Sequence, residues 1–144
     1  MNNYPQLFVS SVFILTPELI MKRRILTSLI AIAILIPFGL LSRHIDWLTE
    51  EVGDALWAMM VFCIWRIILV RRNLNTVAIV SLIHSYLTEF SQLITWQWLT
   101  TFRTTFIGHM MLGQGFLWID LVALTIGIVC IYLVYKAIEP SSGG

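Results

Sequence analysis

Four apolar runs separated by short polar stretches organise the chain: Ile25 to Leu41, Ala55 to Val70, Thr76 to Ile94 and Phe116 to Tyr135. At about 1.5 Å of rise per residue, helices of 16 to 20 residues approach the roughly 30 Å hydrocarbon thickness of a bilayer, the shortest with help from flanking residues. The pattern predicts an all-α, polytopic membrane protein with four transmembrane helices. The first run contains Pro37 and Gly39, which predicts a kink near its far end. The second follows Gly53-Asp54, stops at Arg71-Arg72, and carries Arg66 about one turn from its end, where a long side chain can snorkel to the headgroups. His84, Glu89 and Gln92 interrupt the third run; Asp120 lies near the start of the fourth, which closes at Lys136.

Two stretches fall outside this pattern. Residues 1–20 are only mildly apolar and are broken by Pro5 and Pro17-Glu18. They read as an interfacial or disordered leader, or as an extension upstream of a natural start at Met21. Thr95 to Gly115 joins the last two runs, and a structureless loop of 21 residues would be unusual. Its Trp96, Trp98, Phe102, Phe106 and Met110-Met111-Leu112 favour an interfacial or re-entrant helical segment between the third and fourth spans. The expected organisation is a leader (1–20), a single four-helix membrane domain (21–138) and a polar tail (139–144).

Composition agrees with this reading. The chain is 58% hydrophobic and 12% charged, about half the charged fraction of soluble domains, with mean hydropathy +0.86. A net charge of +1 without a long basic run gives no sign of a nucleic-acid partner. With both termini cytoplasmic, Lys22, Arg23, Arg24, Arg71, Arg72 and Lys136 fall inside, against Arg43 and Arg103 outside. That positive-inside bias sets the expected orientation in a bacterial cytoplasmic membrane. Cys63 and Cys130, both within apolar runs, read as small packing residues. The basic cluster at Lys22-Arg23-Arg24 comes too late, and without a small-x-small site, for a cleavable signal.

The chemistry concentrates on one side. Ser85, Glu89 and Gln92 are spaced i, i+4 and i+7, so they share a helical stripe that Ser81 extends inward. A carboxylate in hydrocarbon costs several kcal/mol unless paired, protonated or wetted, which makes Glu89 a functional-site candidate. Asp120 is expected at similar depth, with Arg103, His109 and Gln114 in the connecting segment and Arg43-His44 on the same side. A guanidinium is a natural bridge between two carboxylates. Each residue also has a plainer reading. Glu89 can be solvated or a structural partner of Arg103; Asp120 can be a helix cap; Arg103 can be an interfacial anchor. His109 alone reads more readily as a satisfied loop histidine, His84 as packing, and Gly113 with Gly115 as a turn. The ligand-binding set is therefore Glu89, Gln92, Arg103, His109, Gln114 and Asp120, its weight coming from convergence. No metal or cofactor motif is present, and the standard catalytic signatures GxSxG, P-loop, HExxH and paired CxxC are missing. That weighs against an enzyme and leaves catalytic residues unassigned.

The stretches GLLSRHIDWL (39–48), VGDALWAMMVF (52–62), EFSQL (89–93), FRTTFIGHMMLGQGFLWIDLVAL (102–124) and TIG (125–127) resemble the DUF2809 family of small bacterial membrane proteins. That family is similar in pattern to VanZ-like proteins, marked by ExxQ, then an arginine, then an aspartate opening a helix with asparagine and glycine. Glu89, Gln92, Arg103, Asp120, Thr125 and Gly127 occupy those places, whereas Leu124 stands at the asparagine position and the Arg103-to-Asp120 gap is long. The resemblance implies about four helices and an envelope-associated role.

Three functions compete. The first is an outward-facing intramembrane pocket for an amphiphile headgroup or small envelope metabolite, with Arg103 meeting an anionic group. The second is an accessory structural subunit of a larger membrane complex, or a homo-oligomer. The third is a carboxylate-dependent hydrolase or transferase acting on a lipid-linked substrate. Membrane lipids are expected partners in all three.

Overall fold

The computed structural model describes residues 5–42, 50–108 and 116–139, with side chains described from residue 17 onward except at Glu50. Five helices are named within them: α1 (Pro5–Ser42), α2 (Glu50–Ile68), α3 (Leu74–Ser91), α4 (Gln97–Arg103) and α5 (Trp118–Ile138). The described residues are otherwise turns and loops, with no strand among them. Helices α1, α2, α3 and α5 overlie the four apolar runs, and α4 forms inside the long connection, where 106–108 are helical again.

The ends differ from the sequence expectation in physically readable ways. Helix α1 begins at Pro5 and passes through both Pro17 and Pro37. Helix α2 starts at Glu50, so Glu50 and Glu51 lie in its first turn and Asp54 just beyond it. Negative charge there favours the amino-terminal end of the helix dipole. Asn73 caps α3, its Oδ1 accepting the Thr76 amide at 2.8 Å.

Helix α2 is the hub: α1, α3 and α5 all pack on it, and α3 also packs on α5. Ala58, Phe62 and Cys63 of α2 meet Val77 of α3 and Leu124, Ile128, Ile131 and Tyr135 of α5 in one buried cluster. Hydroxyls stitch the bundle together. Tyr135 donates to Ser28 Oγ at 2.9 Å, with the Cys63 sulfur 3.7 Å from the same phenol, joining α1, α2 and α5. Thr125 donates to the Leu121 carbonyl at 2.7 Å, and Tyr86 of α3 lies 2.7 Å from the Thr125 hydroxyl. Both cysteines are free; Cys63 packs in the core, whereas Cys130 faces outward instead of packing as expected.

Gly127 sets the α2–α5 spacing. A Cβ there would fall inside contact distance of the Ala55 carbonyl oxygen and 2.9 Å from the Ala55 Cα. Only a residue without a side chain lets the two backbones approach this closely.

The outside of the bundle is apolar. Leu29 and Ile34 of α1, Ile79, Ile83 and Leu87 of α3, and Val122, Ile126 and Leu133 of α5 are all exposed. Soluble monomers rarely carry contiguous apolar surface on this scale. Among the described residues, two helical segments are long and apolar enough to cross a membrane, Pro17–Ser42 and Trp118–Ile138. Only 11% and 33% of their apolar windows are buried, whereas a core helix of a soluble protein would be mostly covered. Polar residues account for the difference from the four spans expected: α2 carries Glu50, Glu51, Asp54 and Arg66, and α3 carries His84 and Glu89.

Candidate functional site

On α3 the residues buried against the bundle are Val77, Ser81, Ser85 and Glu89, an i, i+4 series that turns the polar stripe inward. Ser81 donates to the Val77 carbonyl at 2.7 Å, which satisfies it within its own helix. Ser85 Oγ has no partner. Gln92 caps the carboxyl end of α3, and its Nε2 donates to Glu89 Oε2 at 2.9 Å.

Asp120 reaches the same place from α5. It occupies the third position of that helix, where Oδ2 accepts the Leu117 amide at 3.1 Å, the carboxylate half of a capping box. The plainer reading of Asp120 as a capping residue is thus realised, and the same carboxyl also lies within hydrogen-bonding reach of Glu89. Asp54 of α2 brings a third carboxyl close enough to interact electrostatically with Glu89. Sequence reasoning read Asp54 as part of the Gly53-Asp54 pair before the second apolar run and did not include it in the site. Its position at the start of α2, on the side where α3 ends and α5 begins, was the available signal.

Arg103 lies elsewhere in the hydrogen-bond pattern than expected. It is buried, but Nη1 donates to the Ile94 carbonyl at 3.0 Å and Nη2 to the Ser91 carbonyl. Neither Glu89 nor Asp120 forms an ion pair with it. The guanidinium instead closes the carboxyl end of α3, where free carbonyls and the negative end of the dipole attract a cation. Helix α4 is thereby tied under α3. His109 and Gln114 lie outside the described residues, as do Arg43 and His44. His84 is exposed and accepts from Trp65 Nε1 at 2.8 Å.

Four buried polar atoms at this end lack a hydrogen-bond partner among the described residues: Ser85 Oγ, Glu89 Oε1, Gln92 Oε1 and Arg103 Nε. A buried polar atom left unpaired costs about 1–3 kcal/mol. Two of these four atoms can only accept, one can only donate, and the serine can do either. Like charges held close in a buried site repel unless a proton, a cation or a hydrogen-bond donor lies between them. The arrangement therefore suits a donor-bearing group. Among the described residues, no group of three or more histidine, cysteine or acidic side chains has an arrangement suited to a metal ion. Phe90 stacks on Phe116 at 5.7 Å, and Phe116 meets Trp118 edge-on at 5.1 Å, which joins the end of α3 to the start of α5 through aromatic rings.

A second polar cluster sits at the other end of the bundle. Arg66 is fully buried, so it does not snorkel as its position suggested. Its Nε donates to Glu139 Oε1 at 3.1 Å, its Nη2 to Glu139 Oε2, and its Nη1 to the Arg72 carbonyl at 3.0 Å. Arg24 of α1 reaches the same carboxylate at 3.2 Å and donates to the Val70 carbonyl at 3.1 Å. Glu139, read from sequence as the first residue of a polar tail, joins α1, α2 and α5. A buried arginine one turn from the end of α2 needs an acid, and Glu139 is the acid that follows α5.

No solved structure matches this chain. The model of the family described as Protein of unknown function (DUF2809) matches residues 43–128, from the segment before α2 through most of α5. That match takes in Asp54, Glu89, Gln92, Arg103, Asp120 and Gly127 and covers more than half of the chain; the protein belongs to the DUF2809 family.

Proposed function

We propose that this protein is a four-span membrane protein that binds the polar head of an amphiphile, or a small envelope metabolite, at the cluster of Asp54, Glu89, Gln92 and Asp120. The proposal rests on the unpartnered buried atoms Ser85 Oγ, Glu89 Oε1, Gln92 Oε1 and Arg103 Nε, which lie beside facing carboxyls. In this reading α2 and α3 cross the bilayer with α1 and α5, with Arg66, Ser81, Ser85 and Glu89 shielded by the bundle. In the same reading Trp96, Trp98 and Trp118, all more than 60% exposed, lie at the outer interface. Arg23, Arg24, Arg71, Arg72 and Lys136 mark the cytoplasmic side, which carries both termini. Helix α4 is the interfacial segment.

Arg103 organises the site instead of receiving an anion with its fork. The acceptors left to a ligand are Glu89 and Gln92, so an amine or hydroxyl headgroup fits better than an anionic one. Arg103 Nε supplies one donor to an oxygen of the same headgroup. The similarity of the Glu89-x-x-Gln92, Arg103, Asp120 pattern to VanZ-like proteins supports an envelope role.

A structural reading has its own support, because Asp120 caps its own helix and Arg103 caps α3. Native mass spectrometry of detergent-purified protein, wild type beside Glu89→Gln, separates the two. Binding predicts a retained small amphiphile whose occupancy falls by about tenfold or more in Glu89→Gln, since a hydrogen bond to a charged group contributes roughly 1.5–3 kcal/mol. Equal occupancy in wild type and variant would refute the binding role. A stoichiometric protein partner and no small molecule would favour the structural one.

A further inference from the structure

The inner end of the bundle holds a cavity of about 490 Å³ between α1, the α2–α3 turn and the end of α5. Its lining includes the basic residues Arg23, Arg24 and Arg71 and the apolar residues Ile20, Met21 and Ile138. Its size lies within the range of small-molecule sites.

The charges around it do not balance. Glu139 is the acid in the lining, and its two oxygens are already engaged by Arg66 and Arg24. Arg23 and Arg71 have no ion-pair partner among the described residues. Two exposed guanidinium groups therefore face a hollow whose acid is shared by two further arginines. Planar forks of this kind recognise phosphate oxygens in pairs.

We propose that this cavity binds the phosphate group of an anionic membrane lipid. Arg23 and Arg71 contact the phosphate, while Arg24 stays on Glu139 and supports the wall. The apolar part of the lining argues for a lipid over free phosphate: Ile20, Met21 and Ile138 offer a surface for the glycerol and upper acyl region. Basic hollows among helices on the cytoplasmic side are suited to such headgroups. The site is remote in sequence from Glu89 and Asp120 and uses none of the residues assigned to the outer cluster.

The test is lipid retention. Protein is reconstituted in phosphatidylcholine vesicles with or without phosphatidylglycerol, extracted gently, and analysed by native mass spectrometry. Wild type is expected to keep phosphatidylglycerol in preference to phosphatidylcholine. Arg23→Gln/Arg71→Gln should reduce that preference by about tenfold or more, with unchanged thermal stability in phosphatidylcholine alone, because neither side chain holds the Glu139 network. A control, Arg72→Gln/Lys136→Gln, removes two charges outside the cavity and should keep the preference, as should Glu89→Gln. Excess inorganic phosphate should leave the lipid in place. Equal retention of both lipids by wild type, or an unchanged preference in Arg23→Gln/Arg71→Gln, overturns the site. Equal losses in the two double variants reduce it to diffuse surface charge, and displacement by inorganic phosphate overturns the lipid assignment.

Discussion

Glu139→Ala is expected to destabilise the protein by about 3–5 kcal/mol, the usual cost of stripping the partner from a buried charge. Arg66 has no exposed surface, and two of its three hydrogen bonds among the described residues go to Glu139. Losing that carboxylate leaves a guanidinium enclosed with one backbone carbonyl, and leaves Arg24 beside it as a like charge. Arg66→Met should cost less, since Glu139 retains Arg24 and the methionine fills the apolar space. The double variant Arg66→Met/Glu139→Gln should then recover much of the stability lost in Glu139→Ala, because no orphaned buried charge remains. Thermal or denaturant unfolding in detergent measures the series. A Glu139→Ala protein as stable as wild type would show that the cluster does not hold the inner end together.

Gly127→Ala is expected to cost about 1–3 kcal/mol, and Gly127→Val more, by forcing overpacking between α2 and α5. The obstacle is backbone: the added carbon would press on the carbonyl of Ala55, which cannot swing aside as a side-chain tip would. The bundle must open between α2 and α5, next to Leu124 and Ile128. Gly39→Ala is the matching control. Nothing lies within 4 Å of a Cβ at that position, so the better helix propensity of alanine should leave stability unchanged or raise it by up to about 1 kcal/mol. Unfolding midpoints of the two variants should therefore move in opposite directions, or only the Gly127 variant should move. Equal, small effects at both positions would show that α2 and α5 are not in close backbone contact.

The residue pattern made one level of this structure legible and hid another. Apolar runs marked the four main helices because each packs apolar side chains into the bundle and carries more of them on its outside. The i, i+4 spacing of Ser81, Ser85 and Glu89 marked one face of α3, and that face is buried. Asp120 was legible both as a cap and as a companion of Glu89, since helix-start chemistry and depth each follow from its place before an apolar run. Partner choice was not legible. Arg103 had two plausible uses, carboxylates or carbonyls, and the short connection through Ile94 to α4 puts the carbonyls of Ser91 and Ile94 within its reach. Arg66 looked like a snorkelling side chain because its acid, Glu139, is 73 residues away in sequence. The Gly127–Ala55 approach is equally silent, since a glycine in an apolar helix carries no record of what it faces.

The proposed Glu89–Asp120 site depends on acids from different helices meeting in one place. Glu89→Cys/Asp120→Cys, in a chain whose native thiols are removed by Cys63→Ala and Cys130→Ser, tests this in the membrane with a short-spacer thiol cross-linker. Intramolecular cross-linking of that pair is expected, with none for Glu89→Cys/Lys136→Cys, which places the thiols at opposite ends of the bundle. Two thiols that each react with maleimide yet never join at positions 89 and 120 would contradict the site.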